Sequence, residues 1–239
     1  MKIKKLFVIG SGLMGSGISQ VCASAGLEVA LFDSAAGAVE RALKNIAWSA
    51  GKLVEKQKVT GPLEAIMDRI TATDSLDKAA EADLCIEAVF EDLGVKKDVF
   101  ARLSAVVKPD TLLASTTSAI PISSLAAAVQ HPERVLGIHF FSPVPMMDAV
   151  EVVRSQFTSD EVFAQGKAFV ESIGKEPILV HKDVPGFLIN RINFPAIVEA
   201  LAGIGYQGFI NAEILPIPDD AQALHQTGQY ILSLPLDKR

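Results

Sequence analysis

The stretch Val8-Ile9-Gly10-Ser11-Gly12-Leu13-Met14-Gly15 limits what this chain can fold into more than any other. It follows the apolar run Leu6-Phe7-Val8-Ile9 and leads into a helical pattern through Val21 and Ala25, which predicts a strand, a tight turn and a helix start. The spacing gives each glycine its own role. Gly10 permits the turn, Gly12 lets the backbone approach a diphosphate, and Gly15 lets the helix pack closely on the strand. Leu13 and Met14 belong to the same cradle, where phosphate charge meets the helix N-terminus. A glycine-rich turn without a ligand is the competing reading. A second apolar run, Leu27 to Phe32, ends in Asp33, close to the roughly 20-residue offset at which an acid takes ribose hydroxyls. Because its charge would repel a 2′-phosphate, the expected cofactor is NAD rather than NADP.

At 239 residues the chain can bury a large core, and 49% hydrophobic with 21% charged residues is a globular balance. A net charge of −6 disfavours nonspecific nucleic-acid binding. Cys22 and Cys85 both lie in apolar runs, a pattern of neither a disulfide framework nor a metal knuckle. The N-terminus lacks a signal-peptide core, and no apolar run approaches the roughly 20 residues of a membrane span. The expectation is a cytoplasmic protein without a membrane or nucleic-acid partner.

After Asp33 a helical pattern runs from Ala36 to about Lys56, with Val39, Leu43, Ile46 and Ala47 on one face and a polar, basic end from Ser49 to Lys56. A short strand around Ile70-Thr71-Ala72 and a short helix near Leu76 to Ala80 come next. They lead to the apolar run Leu84-Cys85-Ile86-Glu87-Ala88-Val89, which ends in Phe90-Glu91-Asp92. An amphipathic helix through Val95, Val99, Leu103 and Val106 stops at Pro109, and a strand from Thr111 to Ala114 opens onto Ser115-Thr116-Thr117-Ser118. Strands alternating with helices predict an α/β fold, a doubly wound, mostly parallel sheet of Rossmann type. Its ligands lie beyond the carboxyl ends of the strands. Glu91, Ser118 and the glycine turn would share that edge.

The sharpest chemistry follows. Val135 to Phe141 is an apolar strand interrupted by His139, and Ala149 to Val153 is an apolar strand interrupted by Glu151. Burying either group alone costs several kcal/mol on apolar-transfer scales, so the economical arrangement pairs them. Glu151 then accepts from one ring nitrogen and leaves the other free to take a proton, which makes His139 a candidate general base. A purely structural His–Glu pair fits the spacing equally well. His131, His181 and His225 have no such companion and read as surface or turn residues.

Six blocks in register carry a family resemblance: Gly10 to Gly17, Ile86 to Glu91, Ala114 to Ser118, Gly137 to Pro145, Val150 to Val153, and Pro185-Gly186-Phe187-Leu188-Ile189-Asn190-Arg191. In order and spacing they resemble the signature blocks of the 3-hydroxyacyl-CoA dehydrogenases, from the N-terminus to about residue 200. The resemblance implies NAD-dependent oxidation of an L-3-hydroxyacyl-CoA to the 3-ketoacyl-CoA. It implies that His139 removes the hydroxyl proton, that Glu151 orients it, and that Ser118 and Asn190 hydrogen-bond the reacting oxygen and its surroundings. It also places Asp33, Glu91 and Lys96 on NAD, and Ser49 and Lys56 on the CoA moiety. Thr116 and Ser142 depart from the family pattern, each replacing an asparagine with a hydroxyl.

The end of the chain departs further. The family continues after Asn190 into a helical domain that closes the substrate cleft and forms a dimer contact. Here a helix from about Phe194 to Leu201 fits, but Gly203 to Pro216 looks like the last strand of a sugar isomerase or epimerase TIM barrel, with a closing helix from Asp219 to Leu232. Glu213 matches a metal-ligand position of those isomerases, yet one carboxylate is not a metal site, so no metal is expected. The resulting division is an NAD-binding domain over 1–184 and a short, atypical α/β segment over 185–239. A homo-oligomer stays open as an expectation, without the usual dimer-forming domain. The alternative function is an NAD-binding protein with little or no turnover.

Overall fold

The computed structural model describes residues 3–203. The expected barrel-like strand and helix, together with Glu213 and His225, lie outside the described residues. Eight strands form one sheet in the order β3-β2-β1-β4-β5-β6-β7-β8. They are β1 (Lys5–Ile9), β2 (Glu28–Phe32), β3 (Ile70–Thr73), β4 (Leu84–Glu87), β5 (Leu112–Ser115), β6 (Val135–Phe140), β7 (Ala149–Val153) and β8 (Glu176–Val180). The first six run parallel, β7 turns back antiparallel to β6, and β8 runs parallel to β7. Parallel strands covered on both faces need apolar residues at successive positions. Every residue of β4, β5 and β6 is buried. Alternation assigns the side chains to two cores: Leu6 and Val8 pack on one face of the sheet, Phe7 and Ile9 on the other.

The helices are α1 (Leu13–Ser24), α2 (Ala38–Glu55), α3 (Leu63–Met67), α4 (Leu93–Val106), α5 (Ile122–Ala126), α6 (Asp160–Ser172) and α7 (Ile189–Gly203). Helix α2 begins two residues later than its sequence pattern, because Gly37 ahead of it takes a left-handed φ of 70°. Its buried line is Val39, Ala42, Ile46 and Ala50, rotated from the predicted face. Helix α4 is rotated as well: Val95 is exposed, while Lys96, Phe100 and Leu103 are buried. The cause is polar, since Lys96 turns inward to an acid at the end of β4, whereas apolar periodicity sees only Val95 and Val99. Asp92 fixes that register by accepting from Val95 N–H at 2.8 Å as the helix cap.

The β6–β7 pairing places the site. His139 and Glu151 are direct partners in the antiparallel register. Side chains opposite each other point to the same side of a sheet. The pair predicted from two lone polar residues is therefore built into adjacent strands.

Candidate active site

The left part of the carboxyl edge is made by the glycine turn. Gly10 has φ +97°, and a Cβ there would lie 2.4 Å from Ala88 O; a Cβ on Gly15 would lie 1.7 Å from Gly10 O. Both glycines are required by the fold itself. Gly12 differs, for a Cβ built on it meets nothing within 4 Å. It is the N-cap of α1, no side chain caps that helix, and its first turn carries no acid. Uncapped N–H groups over open space fit a diphosphate by hydrogen bonding and by the helix dipole.

Asp33 lies beside this turn. Its Oδ2 accepts from Ser11 N–H at 2.7 Å and from Ser11 Oγ at 2.8 Å, and its Oδ1 accepts from Ala35 N–H at 2.9 Å. Burial pushes the carboxyl up, but the Ala35 and Ser11 N–H groups, the Ser11 hydroxyl and the Arg41 charge outweigh it and hold Asp33 below its usual range. A carboxylate has about four acceptor positions, so one remains for a ribose hydroxyl. A cavity next to it is lined by Phe32, Asp33, Gly37, Val39, Thr73 and Lys78, among others.

At the ends of β4 and β5 the edge is polar and closed. Glu87, fully buried, accepts from Lys96 Nζ at 2.6 Å, Ser115 Oγ at 2.6 Å and Val89 N–H at 2.7 Å. Lys96 Nζ also reaches Glu91 at 3.1 Å and Val89 O at 3.3 Å. Glu91 in turn accepts from the Thr117 hydroxyl and, at 3.1 Å, from Ser118 N–H. Lys96, predicted to touch the cofactor, is only 1% exposed and sits beneath Glu91. Glu91 is the member of the network that reaches the surface, with 21% of its side chain accessible.

Ser118 connects this network to the His–Glu pair. His139 is buried, its Nδ1 2.7 Å from Glu151 Oε2 and its Nε2 3.1 Å from Ser118 Oγ. Glu151 Oε1 accepts from Leu188 N–H at 2.9 Å and Ile189 N–H at 2.8 Å, at the start of α7. Burial pushes the Glu151 carboxyl up, but the hydrogen bond from His139, the Ile189 and Leu188 N–H groups and the neighbouring imidazole together hold it below its usual range. An ionised Glu151 only accepts, so the network assigns the proton to Nδ1 and leaves a lone pair on Nε2. Phe141 and Phe187 flank the imidazole at 4.7 and 5.6 Å between ring centroids.

Residues 5–184 match the model for the NAD-binding domain of 3-hydroxyacyl-CoA dehydrogenase. The chain belongs to the 3-hydroxyacyl-CoA dehydrogenase family. It is an NAD-dependent oxidoreductase by that membership. A 3-hydroxybutyryl-CoA dehydrogenase of Bradyrhizobium diazoefficiens is 41% identical over 97% of this chain and 78% of its own length. One from Clostridioides difficile is 40% identical over 95% of this chain and 81% of its own. Among solved structures, (S)-3-hydroxybutyryl-CoA dehydrogenase from Ralstonia eutropha superposes with a TM-score of 0.81 at 37% identity, covering 85% of this chain and 72% of that one. None of these three is a sugar isomerase, and the Bradyrhizobium match, at 97% of the chain, extends past residue 203. The likeness of the tail to a barrel strand has no support.

The remaining residues expected for this dehydrogenase fall in two groups. Asn190 is exposed and its Nδ2 lies 3.5 Å from the Ser118 carbonyl, so it stands beside the His139 cluster. Ser49, half-buried in α2, and Lys56, exposed just past its C-terminal end, lie seven residues apart and outside that cluster. Thr116 Oγ1 is buried without a hydrogen-bond partner, and Ser142 is exposed ahead of Pro143. Among the described residues no group of three metal-ligating side chains occurs, and no helix is long and apolar enough to cross a membrane. Sequence reasoning missed Glu87, Ser115 and Thr117. It also missed Asp183, which accepts from Ile122 N–H and Ser123 N–H at 2.9 and 2.6 Å and ties the approach to α7 onto α5.

Proposed function

We propose that the chain oxidises an L-3-hydroxyacyl-CoA reversibly to the 3-ketoacyl-CoA with His139 as general base and Glu151 as its positioning partner. The single observation that carries the residue assignment is the buried relay from Glu151 through both imidazole nitrogens to Ser118. Because Nδ1 is engaged by Glu151, Nε2 faces the substrate hydroxyl with its lone pair and takes the proton. The imidazolium so formed already has a carboxylate beside it, so no unpaired charge is created in a buried site. Ser118 and Asn190 hold the reacting oxygen, while Phe141 and Phe187 keep water from the ring. Gly10, Gly12, Leu13, Met14 and Gly15 would hold the diphosphate of NAD and Asp33 its ribose, and the cofactor so held would supply the hydride acceptor. Glu91 faces the cofactor, and Lys96 supports Glu91 from below.

Ser49 and Lys56 take the CoA moiety in this reading. Residues 1–184 are the cofactor domain, and the start of the following segment brings Asn190 to the substrate side. Two free, buried cysteines fit a reducing, cytoplasmic setting. The names of the relatives make a four-carbon acyl chain the first substrate to try. Consumption of NADH with acetoacetyl-CoA tests the activity. Trp48, the only tryptophan, is 70% exposed beside Ser49 and gives an independent signal for CoA binding. Turnover without any change of Trp48 fluorescence would remove Ser49 and Lys56 from their assigned place.

A further inference from the structure

Glu87 plays no part in that mechanism, although it is as fully enclosed as Glu151, at 0% exposure, and accepts three hydrogen bonds, one of them from the Lys96 ammonium. Lys96 sits between it and Glu91, at 2.6 and 3.1 Å. One ammonium and two carboxylates leave the trio with one net negative charge. Both Glu87 carboxylate oxygens are used, Oε1 by Lys96 and Val89 N–H and Oε2 by Ser115. Lys96 balances only one of the two acids, so the trio adds a net negative charge to this part of the edge.

The position of that charge indicates what it acts on. In an open parallel sheet a dinucleotide lies across the point where strand order reverses, here between β1 and β4. Asp33 ends β2 on the adenosine side, so the nicotinamide half lies toward the ends of β4 and β5, where Glu87, Glu91 and Ser115 are. The oxidised nicotinamide ring is cationic and the reduced ring is neutral. A fixed negative charge under that half, in a medium less screening than water, stabilises the first and not the second. We propose that the Glu87–Lys96–Glu91 trio discriminates between the two redox forms of the cofactor, with Glu87 the unit of charge that makes the trio anionic. The proposal rests on the NAD site described above.

The test compares dissociation constants of NAD+, by calorimetry, and NADH, by its fluorescence, for the unaltered chain and for Glu87→Gln and Glu87→Asp. Glu87→Gln keeps the side-chain size and removes the charge. It should weaken NAD+ binding on the order of three- to tenfold while NADH binding holds or tightens. Glu87→Asp keeps the charge and should keep the ratio. Equal changes for both forms in Glu87→Gln, or the same change of ratio in Glu87→Asp, would overturn the proposal, since packing rather than charge would then be at work. If Glu87→Gln does not fold, Glu91→Gln removes one charge from the more accessible end of the trio; because Glu91 itself faces the cofactor, the reading there is the ratio of the two constants, which should shift against NAD+, and an unchanged ratio would overturn the proposal. Failure of the unaltered chain to bind either form would overturn the cofactor site itself, a result distinct from an unresponsive ratio.

Discussion

The two halves of the carboxyl edge are prepared for their ligands in opposite ways. Around β1 and β2 the chain offers backbone and space: uncapped helix N–H groups, a bare Gly12 and an adjoining cavity. Around β4 to β7 it offers side chains that already satisfy one another, from Glu87 through Lys96, Glu91 and Ser118 to His139 and Glu151. The first half can wait for a charged guest because its unpaired groups are partial charges open to water. The second cannot, because buried acids and an imidazole without partners would cost more than the fold can supply. Substitutions in the two halves should therefore fail differently.

The largest effect is expected at Glu151. Glu151→Ala leaves a buried imidazole and two backbone N–H groups without a partner, a loss of about 3–5 kcal/mol, and Glu151→Gln should lower turnover by roughly 10²–10⁴-fold. Denaturant melts and steady-state rates check the two figures. The carboxyl is held below its usual value in the folded chain, so its contribution is complete above the unfolded value of roughly 4.3. It disappears as pH falls through the folded value. Melting temperature followed from neutral pH downward should fall more steeply in the unaltered chain than in Glu151→Gln. Parallel curves would show that Glu151 is not held as described.

The glycines sharpen the contrast within one turn. Gly15→Ala and Gly10→Ala force a Cβ against backbone oxygen, and each should destabilise the fold by at least about 1–3 kcal/mol, seen as a lower melting temperature. Gly12→Ala meets no atom of the protein. It should leave the melt unchanged and weaken NAD binding about tenfold or more, as it intrudes on the space for the diphosphate. A Gly12→Ala chain that binds NAD normally would break the assignment of open space to ligand. The smallest effect belongs to Asp33→Asn, a several-fold weaker NAD and a smaller gap between NAD and NADP, measured by titrating both.

The sequence made the open half legible because glycine spacing and the offset to Asp33 record a backbone requirement directly. It made the His139–Glu151 pair legible for another reason: one polar residue in each of two apolar strands has few partners to choose from. Leu84-Cys85-Ile86-Glu87 has the same form, with Glu87 as its lone polar residue. Its partner, however, comes from a helix, where Lys96 is hidden among Val95, Lys97 and Val99 and no apolar periodicity marks it. The short elements α3 and α5 and the pair α6 and β8 left no motif to read. Asp183, bonded to α5 from 60 residues away, becomes visible only in three dimensions.

In the proposed mechanism His139 moves the proton and is placed for it by the fold before any ligand arrives. The most direct measurement is NADH-dependent reduction of acetoacetyl-CoA by the unaltered chain and by His139→Gln, with NADH affinity measured alongside. The expected result is a rate loss of at least about 10²-fold in His139→Gln with NADH binding unchanged; a variant that reduces substrate at the unaltered rate would contradict it.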